Sequence, residues 1–220
     1  MIKKIEVAGV SLDNNTVRES LILVGRMMEE PAFTTIEEID MDMVLMAEAN
    51  GHTREIIHSL DHTIISEVGI LDAVGENNIQ RRHEISERDF FYGFFKRLER
   101  NAASVFVLGA DMESVEKTEE ILLEQYPRLK IVGKEALENC VGTQEAVVNE
   151  INVASADVIL SVIPSPAQEY FLEENRGKMS SRIWYGTGDH PLKKKKKRVT
   201  GIISSLAKKK KIQKFMNNKE

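Results

Sequence analysis

The chain has 220 residues, 42% of them apolar and 30% charged, the balance of one soluble domain with an appendage rather than of a disordered or membrane-embedded chain. One cysteine, Cys140, excludes a disulfide framework or multi-thiolate zinc site; no apolar run nears the roughly 18 residues of a membrane span, and residues 1–12 lack the apolar core of a secretory signal, so the expected location is cytoplasmic. The net charge of −5 is split unevenly: residues 191–220 hold eleven lysines and Arg198 against Glu220, while the other 190 residues hold 18 basic and 34 acidic side chains.

In chain order, residues 5–10 are rich in β-branched side chains and start a strand. Asp13 or Asn15 is placed to cap a helix running through Val17, Leu21 and Val24 to Met28. Residues 33–36 suit a short strand. A helix over 43–48 breaks at Asn50 and Gly51, and a second follows over 53–60. Residues 63–66 form a brief apolar strand, then Gly69 leads a helix to Val74. Residues 76–80 read as a loop, and 89–100 as a strongly aromatic helix. S-V-F-V-L at 104–108 has the composition of a buried strand, ended by Gly109. Asp111 stands at a helix N-cap. Met112, Val115, Leu122, Leu123 and Tyr126 share one face of that helix, and Pro127 stops it. Strands follow at 129–132, 157–163 and 182–185, with helices at 145–153 and 167–175. This alternation predicts an α/β fold, a parallel sheet with helices on both faces. Its ligands would sit beyond the carboxyl ends of the strands.

Those ends fall in the loops at 37–40, 66–69, 109–111, 164–169 and 186–189. Gly109 and Ala110 open a helix, whose free N–H groups suit a phosphate; ordinary turn chemistry explains the same pair. There is no Walker loop and no G-x-G-x-x-G, so nucleotide binding does not follow from a glycine motif.

Several stretches, in order, resemble one family. V-A-G-V-S-L-D-N at 7–14, V-F-V-L-G at 105–109, Y-P-R-L-K-I-V-G at 126–133, A-D-V-I-L at 156–160 and P-S-P-A-Q-E at 164–169 are similar to motifs of the WecG/TagA/CpsF glycosyltransferases. The resemblance covers residues 7 to about 184. It implies a Rossmann-like fold over residues 1–190. It also implies transfer of an N-acetylaminosugar from a UDP-sugar to a polyprenyl-diphosphate-linked sugar in cell-surface polymer synthesis. A C-terminal appendage, here residues 191–220, would hold the enzyme at the inner face of the plasma membrane. Gln168, with Gly109 and Ala110, would contact the donor.

The departures from the pattern lie at the chemistry. The family's T-x-N becomes Glu38-Ile39-Asp40. Its P-D-G-x-G, whose aspartate is the general base, becomes Ile65-Ser66-Glu67-Val68-Gly69 in an ungapped reading. Ser66 then takes the base position, with Glu67 or Asp40 as the alternatives. The family arginine aligns with Glu84, beside the donor like Glu38. A serine hydroxyl is a poor base without an activating group. Glu84 reverses the charge where a diphosphate would lie, a change worth several kcal/mol at intermediate dielectric. Two outcomes are open: an active enzyme, or a catalytically silent homologue that binds a partner or a nucleotide. No cofactor is required, although Glu38, Asp40, Asp42, Glu67, Glu84 and Glu87 offer oxygen ligands for Mg²⁺ or Mn²⁺.

The remaining features read as structure. His52, His58, His62 and His83 make no ligand motif and are expected at the surface. The aromatic helix is expected to be core, with an acceptor-lipid groove or an oligomer contact as alternatives. In the tail, Lys193, Lys194, Lys195, Lys208 and Lys209 flank short apolar stripes. Such a segment is expected on an anionic membrane surface, with folding back on the acidic body or non-specific nucleic-acid binding as alternatives.

Overall fold

The computed structural model describes residues 3–139 and 144–188. The chain opens on a hairpin of β1 (Lys4–Val7) and β2 (Val10–Asp13). The hairpin turn places Ala8 and Gly9 at φ of 50° and 80°, the left-handed conformation that matches the twist of paired strands. The single strand expected over 5–10 is thus two antiparallel ones. Helix α1 (Val17–Glu29) is capped by Thr16, which forms a capping box with Glu19. Asp13 and Asn15, the expected caps, are buried instead.

There follow β3 (Thr34–Ile39), α2 (Met41–Ala49), α3 (Gly51–His58), β4 (His62–Ile65), α4 (Val68–Ala73), α5 (Ile79–Ser86), α6 (Asp89–Arg100), β5 (Ser104–Gly109), α7 (Met112–Gln125), β6 (Lys130–Ala136), α8 (Glu145–Ala154), β7 (Val158–Val162), α9 (Ala167–Asn175) and β8 (Ile183–Gly186). Strands β3 to β8 form one all-parallel sheet in the order β4-β3-β8-β7-β5-β6, as a Rossmann-like fold requires. Helix α5 has no counterpart in the expected elements. Its sequence I-Q-R-R-H-E-I-S buries one apolar side chain, Ile85, so it carries no apolar period. Asn78 caps it by accepting from the Arg81 N–H.

Helices α1, α6 and α7 cover one face of the sheet, and α8 and α9 the other. Phe90, Phe91, Phe94 and Phe95 of α6 are buried around the ring of Tyr185. The aromatic helix is therefore core. The hairpin, α2, α3 and α4 pack a third apolar cluster around Ile39 and Ile65, at the carboxyl ends of β3 and β4. Adjacent strand residues face opposite sides of a sheet. Glu37 and Glu38 of β3 and Trp184 and Tyr185 of β8 therefore send one pair to each face: Trp184 donates to Glu37, and Tyr185 donates to Glu38.

Candidate active site

A small cleft opens at the carboxyl end of β4, beside β3. Its walls come from Asp13, Asn15 and Ser20 near the start of the chain, Glu38 of β3, Thr63 and Ser66 of β4 and the turn after it, and Arg81, Glu84 and Arg88 beyond. Phe90 and Phe91 are the only rings of α6 that reach it.

Two guanidinium groups face this space, and both hold carboxylates. Arg81 donates to Glu84 Oε2 at 2.7 Å and, through Nε, to Asn14 Oδ1 at 3.1 Å. Glu84 also accepts from the Val17 N–H and from Gln80 Nε2. Burial alone would raise its pKa, but the Arg81 bond and the other donors outweigh burial and hold Glu84 below the usual carboxylate range. Arg88 donates to Glu38 Oε2 at 2.9 Å and stacks over Phe91 at 4.8 Å from the ring centre. Arg88 itself stands at φ 55°, the left-handed residue that starts α6. The Tyr185 hydroxyl donates to the second Glu38 oxygen at 2.5 Å. Burial, then the Glu38 charge, pushes the Tyr185 phenol well above its ordinary value.

Behind the cleft lies a chain of three side chains. Asp13 Oδ2 meets His62 Nδ1 at 3.0 Å, and His62 Nε2 meets Ser20 Oγ at 2.9 Å. Thr63 donates its N–H to Asp13 Oδ2 at 2.9 Å. Burial tends to raise the Asp13 pKa, but its bonds to His62 and Thr63 win, and the net shift is downward. His62 is wholly buried, which corrects the expectation of a surface histidine. Strand β4 turns it inward, where the carboxylate and the hydroxyl satisfy both ring nitrogens.

On the opposite face of β3, a second polar cluster is sealed from solvent. Glu37, Gln168 and Glu169 all have zero exposure. Glu37 accepts from Trp184 Nε1 at 3.0 Å, and Glu169 from Ser165 Oγ at 2.6 Å. One oxygen of each glutamate makes no hydrogen bond. Burial, followed by the neighbouring Glu169, pushes the Glu37 carboxyl well above its ordinary value, and burial raises Glu169 likewise. Gln168 Oε1 accepts from the Gly188 N–H. A side-chain carbon at Gly186 would lie 2.5 Å from Gln168 Nε2, so this glycine admits the amide against β8.

The residues expected from sequence divide into separate groups. Ser66, Glu38 and Glu84 come together in the cleft. Ser66 Oγ is buried and makes no hydrogen bond. Asp40 and Glu67 do not line the cleft. Asp40 caps α2 by accepting from the Met43 N–H at 2.8 Å, and Glu67 accepts from Met41 N–H at 3.3 Å. Gln168 belongs to the sealed cluster. Gly109 ends β5 and Ala110 follows it, three strand positions from β3, or roughly 14 Å along the sheet. There the Met112 and Ser114 N–H groups already donate to Glu138 and Asp111. A side-chain carbon at Gly109 would come within 2.6 Å of Val115 Cγ2, so close packing of α7 demands the glycine. The six acids considered for Mg²⁺ or Mn²⁺ do not converge: no group of three or more potential ligands is arranged for a metal among the described residues. Lys193, Lys194, Lys195, Lys208, Lys209 and Cys140 lie outside the described residues.

Sequence reading missed Arg81, Arg88, Ser20 and the burial of His62. Arg81 was the most findable, because R-x-x-E at 81–84 is an i,i+3 ion pair on any helix.

The glycosyl transferase WecG/TagA/CpsF family model matches residues 5–190. The chain belongs to that family. The match takes in the hairpin, the whole sheet and both polar clusters. Among individual relatives, the N-acetylglucosaminyldiphosphoundecaprenol N-acetyl-beta-D-mannosaminyltransferases of Staphylococcus aureus strains NCTC 8325 / PS 47, COL and MSSA476 are each 22% identical over 190 residues. The alignment covers 84% of this chain and 73% of each relative. Among the described residues of this WecG/TagA/CpsF member, no helix is long and apolar enough to cross a membrane.

Proposed function

We propose that this protein transfers an N-acetylaminosugar from a UDP-sugar to a polyprenyl-diphosphate-linked sugar, in synthesis of a cell-surface polymer at the inner face of the membrane. One observation carries the reading. In a chain matched by the family over residues 5–190, two guanidinium groups, the buried Arg81 and the half-buried Arg88, stand in a cleft at the carboxyl ends of β3 and β4. Transfer needs a base at the acceptor hydroxyl and positive charge at the departing diphosphate. The acceptor oxygen attacks the anomeric carbon, its proton passes to the base, and the bond to UDP breaks. Arg81 and Arg88, each paired with a carboxylate, offer the leaving group the guanidinium N–H groups that those pairs leave over. The Arg81 pair offsets the charge reversal at Glu84, one helical turn away.

Glu38 and Glu84 are the proposed donor-side residues in the cleft; Gln168, sealed across β3, and Gly109 and Ala110, roughly 14 Å along the sheet, stand apart from it. Lys193, Lys194, Lys195, Lys208 and Lys209 are the proposed contacts to anionic lipid. At roughly 1 kcal/mol per basic residue near the surface, the tail has charge enough for reversible attachment. No metal is assigned a step.

A second reading, a silent homologue that binds a nucleotide or a partner, is favoured by Ser66. It takes the aligned base position with an unpartnered hydroxyl. The test is transfer of radiolabelled N-acetylmannosamine from UDP to polyprenyl-diphosphate N-acetylglucosamine, with UDP release measured in parallel. Labelled lipid product supports the transferase. UDP binding without product or UDP release supports the silent homologue.

A further inference from the structure

Ser66 stands where the ungapped resemblance puts the general base, and the glutamates of the cleft are engaged. Glu38 is held by Arg88 and Tyr185, and Glu84 by Arg81, Gln80 and the Val17 N–H. Ser66 has no group beside it to take its proton. Ser20 lines the same cleft and differs from Ser66 in what stands behind it. An ionised carboxylate only accepts, so Asp13 requires the proton of neutral His62 on Nδ1. In the neutral ring this leaves Nε2 as the acceptor and the Ser20 hydroxyl, 2.9 Å away, as its donor. Serine, imidazole and carboxylate are thereby linked in the order and tautomer that activate a hydroxyl in a Ser-His-Asp arrangement. The remaining charged groups around this chain are accounted for: Lys4 lies 3.7 Å from Asp13 Oδ1, and Arg81, Glu84, Arg88 and Glu38 are paired with one another.

We infer that Ser20, backed by His62 and Asp13, is a relocated general base for this cleft, serving the acceptor hydroxyl of the proposed transfer; the inference rests on that reading. The acceptor hydroxyl gives its proton to Ser20 Oγ as Ser20 gives its own to His62 Nε2. Asp13 stabilises the imidazolium through Nδ1–H. The acceptor oxygen forms its bond to the anomeric carbon, and the electron pair of the broken bond leaves with UDP. The proton on His62 returns through Ser20 to water once product departs. Ser20 is the catalytic residue; His62 and Asp13 act through it as positioning residues.

The test compares the full-length wild-type chain with Ser20→Ala, Ser20→Thr and His62→Gln in the transfer assay above, with unfolding temperatures measured alongside. A positioned base contributes about 100-fold or more. Ser20→Ala and His62→Gln should therefore each lower kcat by about that factor, with the donor KM within about threefold of wild type. Ser20→Thr, which keeps the hydroxyl, should recover most of the rate. If wild type transfers sugar and Ser20→Ala does so equally well, the relay is overturned and the transferase reading stands. If kcat, KM and unfolding temperature all fall together and Ser20→Thr is no better, the chain is a structural network and the relay is overturned. If wild type itself forms no product, the transferase reading fails first and takes the relay with it.

Discussion

Arg81 and Glu84 stand one turn apart on α5 and meet at 2.7 Å in the wall of the cleft. From sequence alone, a glutamate at position 84 reverses the charge where a diphosphate is expected. In the fold, a buried guanidinium three residues earlier cancels it, so the α5 wall is neutral rather than repulsive. Arg81→Ala leaves the Glu84 carboxylate buried without its cation and should cost about 2–3 kcal/mol. For a chain of this size that lowers the midpoint of thermal unfolding by roughly 5–10 °C. Adding Glu84→Gln should return part of the loss. The Glu84 pKa is depressed on folding, so its stabilisation is present at neutral pH. It is lost as pH falls below the ordinary 4.5 and through the lowered folded value. The penalty of Arg81→Ala should shrink over that acid range, which unfolding at several pH values would check.

Glu38 shares its two oxygens between Tyr185 and Arg88. Tyr185→Phe keeps the ring among the α6 phenylalanines and removes only the hydroxyl. It should cost about 1.5–3 kcal/mol, the range for a hydrogen bond to a charged group. Denaturant unfolding measures this directly, and an unchanged slope would show that the packing around α6 is intact.

Across β3, the sealed glutamates predict the opposite pH behaviour. Burial, then the neighbouring Glu169, raises the folded pKa of Glu37 well above the ordinary 4.5. Between those two values the folded state binds more protons than the unfolded state, and stability falls as pH rises. Glu37→Gln keeps an acceptor for Trp184 Nε1 and carries no proton to lose. It should be more stable than wild type at pH 7–8, with the gain fading toward pH 4. Equal stabilities of the two proteins across that range would contradict the assignment.

Gly186→Ala tests whether the Gln168 amide matters to the donor. The new methyl would sit 2.5 Å from Gln168 Nε2 and 2.9 Å from Glu37 Cγ, forcing the amide aside. Because the amide is sealed across β3 from the cleft, the expected result is a stability loss of about 1–3 kcal/mol with UDP-sugar binding unchanged. Gly109→Ala, which presses on Val115 instead, should cost similar stability and also leave binding at the β3–β4 cleft unchanged. Calorimetric titration of both variants with UDP checks this, and weaker binding in Gly186→Ala alone would bring Gln168 into the donor site.

The sheet was legible because its strands are written in apolar runs. S-V-F-V-L at 104–108 and the stretch at 157–163 are buried on both faces, so composition alone marks them. Helices α6 and α9 matched their expected spans because an aromatic period and a proline turn bound them. Helix α5 was not legible. It is held by a cap and an ion pair rather than by an apolar stripe, and it brings Arg81 and Glu84 to the cleft. His62 was misread for a related reason. In β4 it replaces an apolar side chain, and only the distant partners Asp13 and Ser20 make its burial tolerable. Pairings across 40 or 50 positions leave no local pattern. The scattering of Gly109, Gln168 and Glu84 along the sheet edge follows from the strand order, which local sequence does not state.

The central claim is that the β3–β4 cleft holds a nucleotide-sugar donor, and thermal unfolding with UDP and several UDP-sugars tests it most directly. A ligand at about 100 times its Kd adds about 2.7 kcal/mol, or roughly 5–10 °C for a chain of this length. The expected result is a shift of that size with the wild-type protein, the same with or without Mg²⁺ or Mn²⁺, and its loss in an Arg81→Ala/Arg88→Ala double variant. No shift with any of these ligands, with or without metal, would contradict the account.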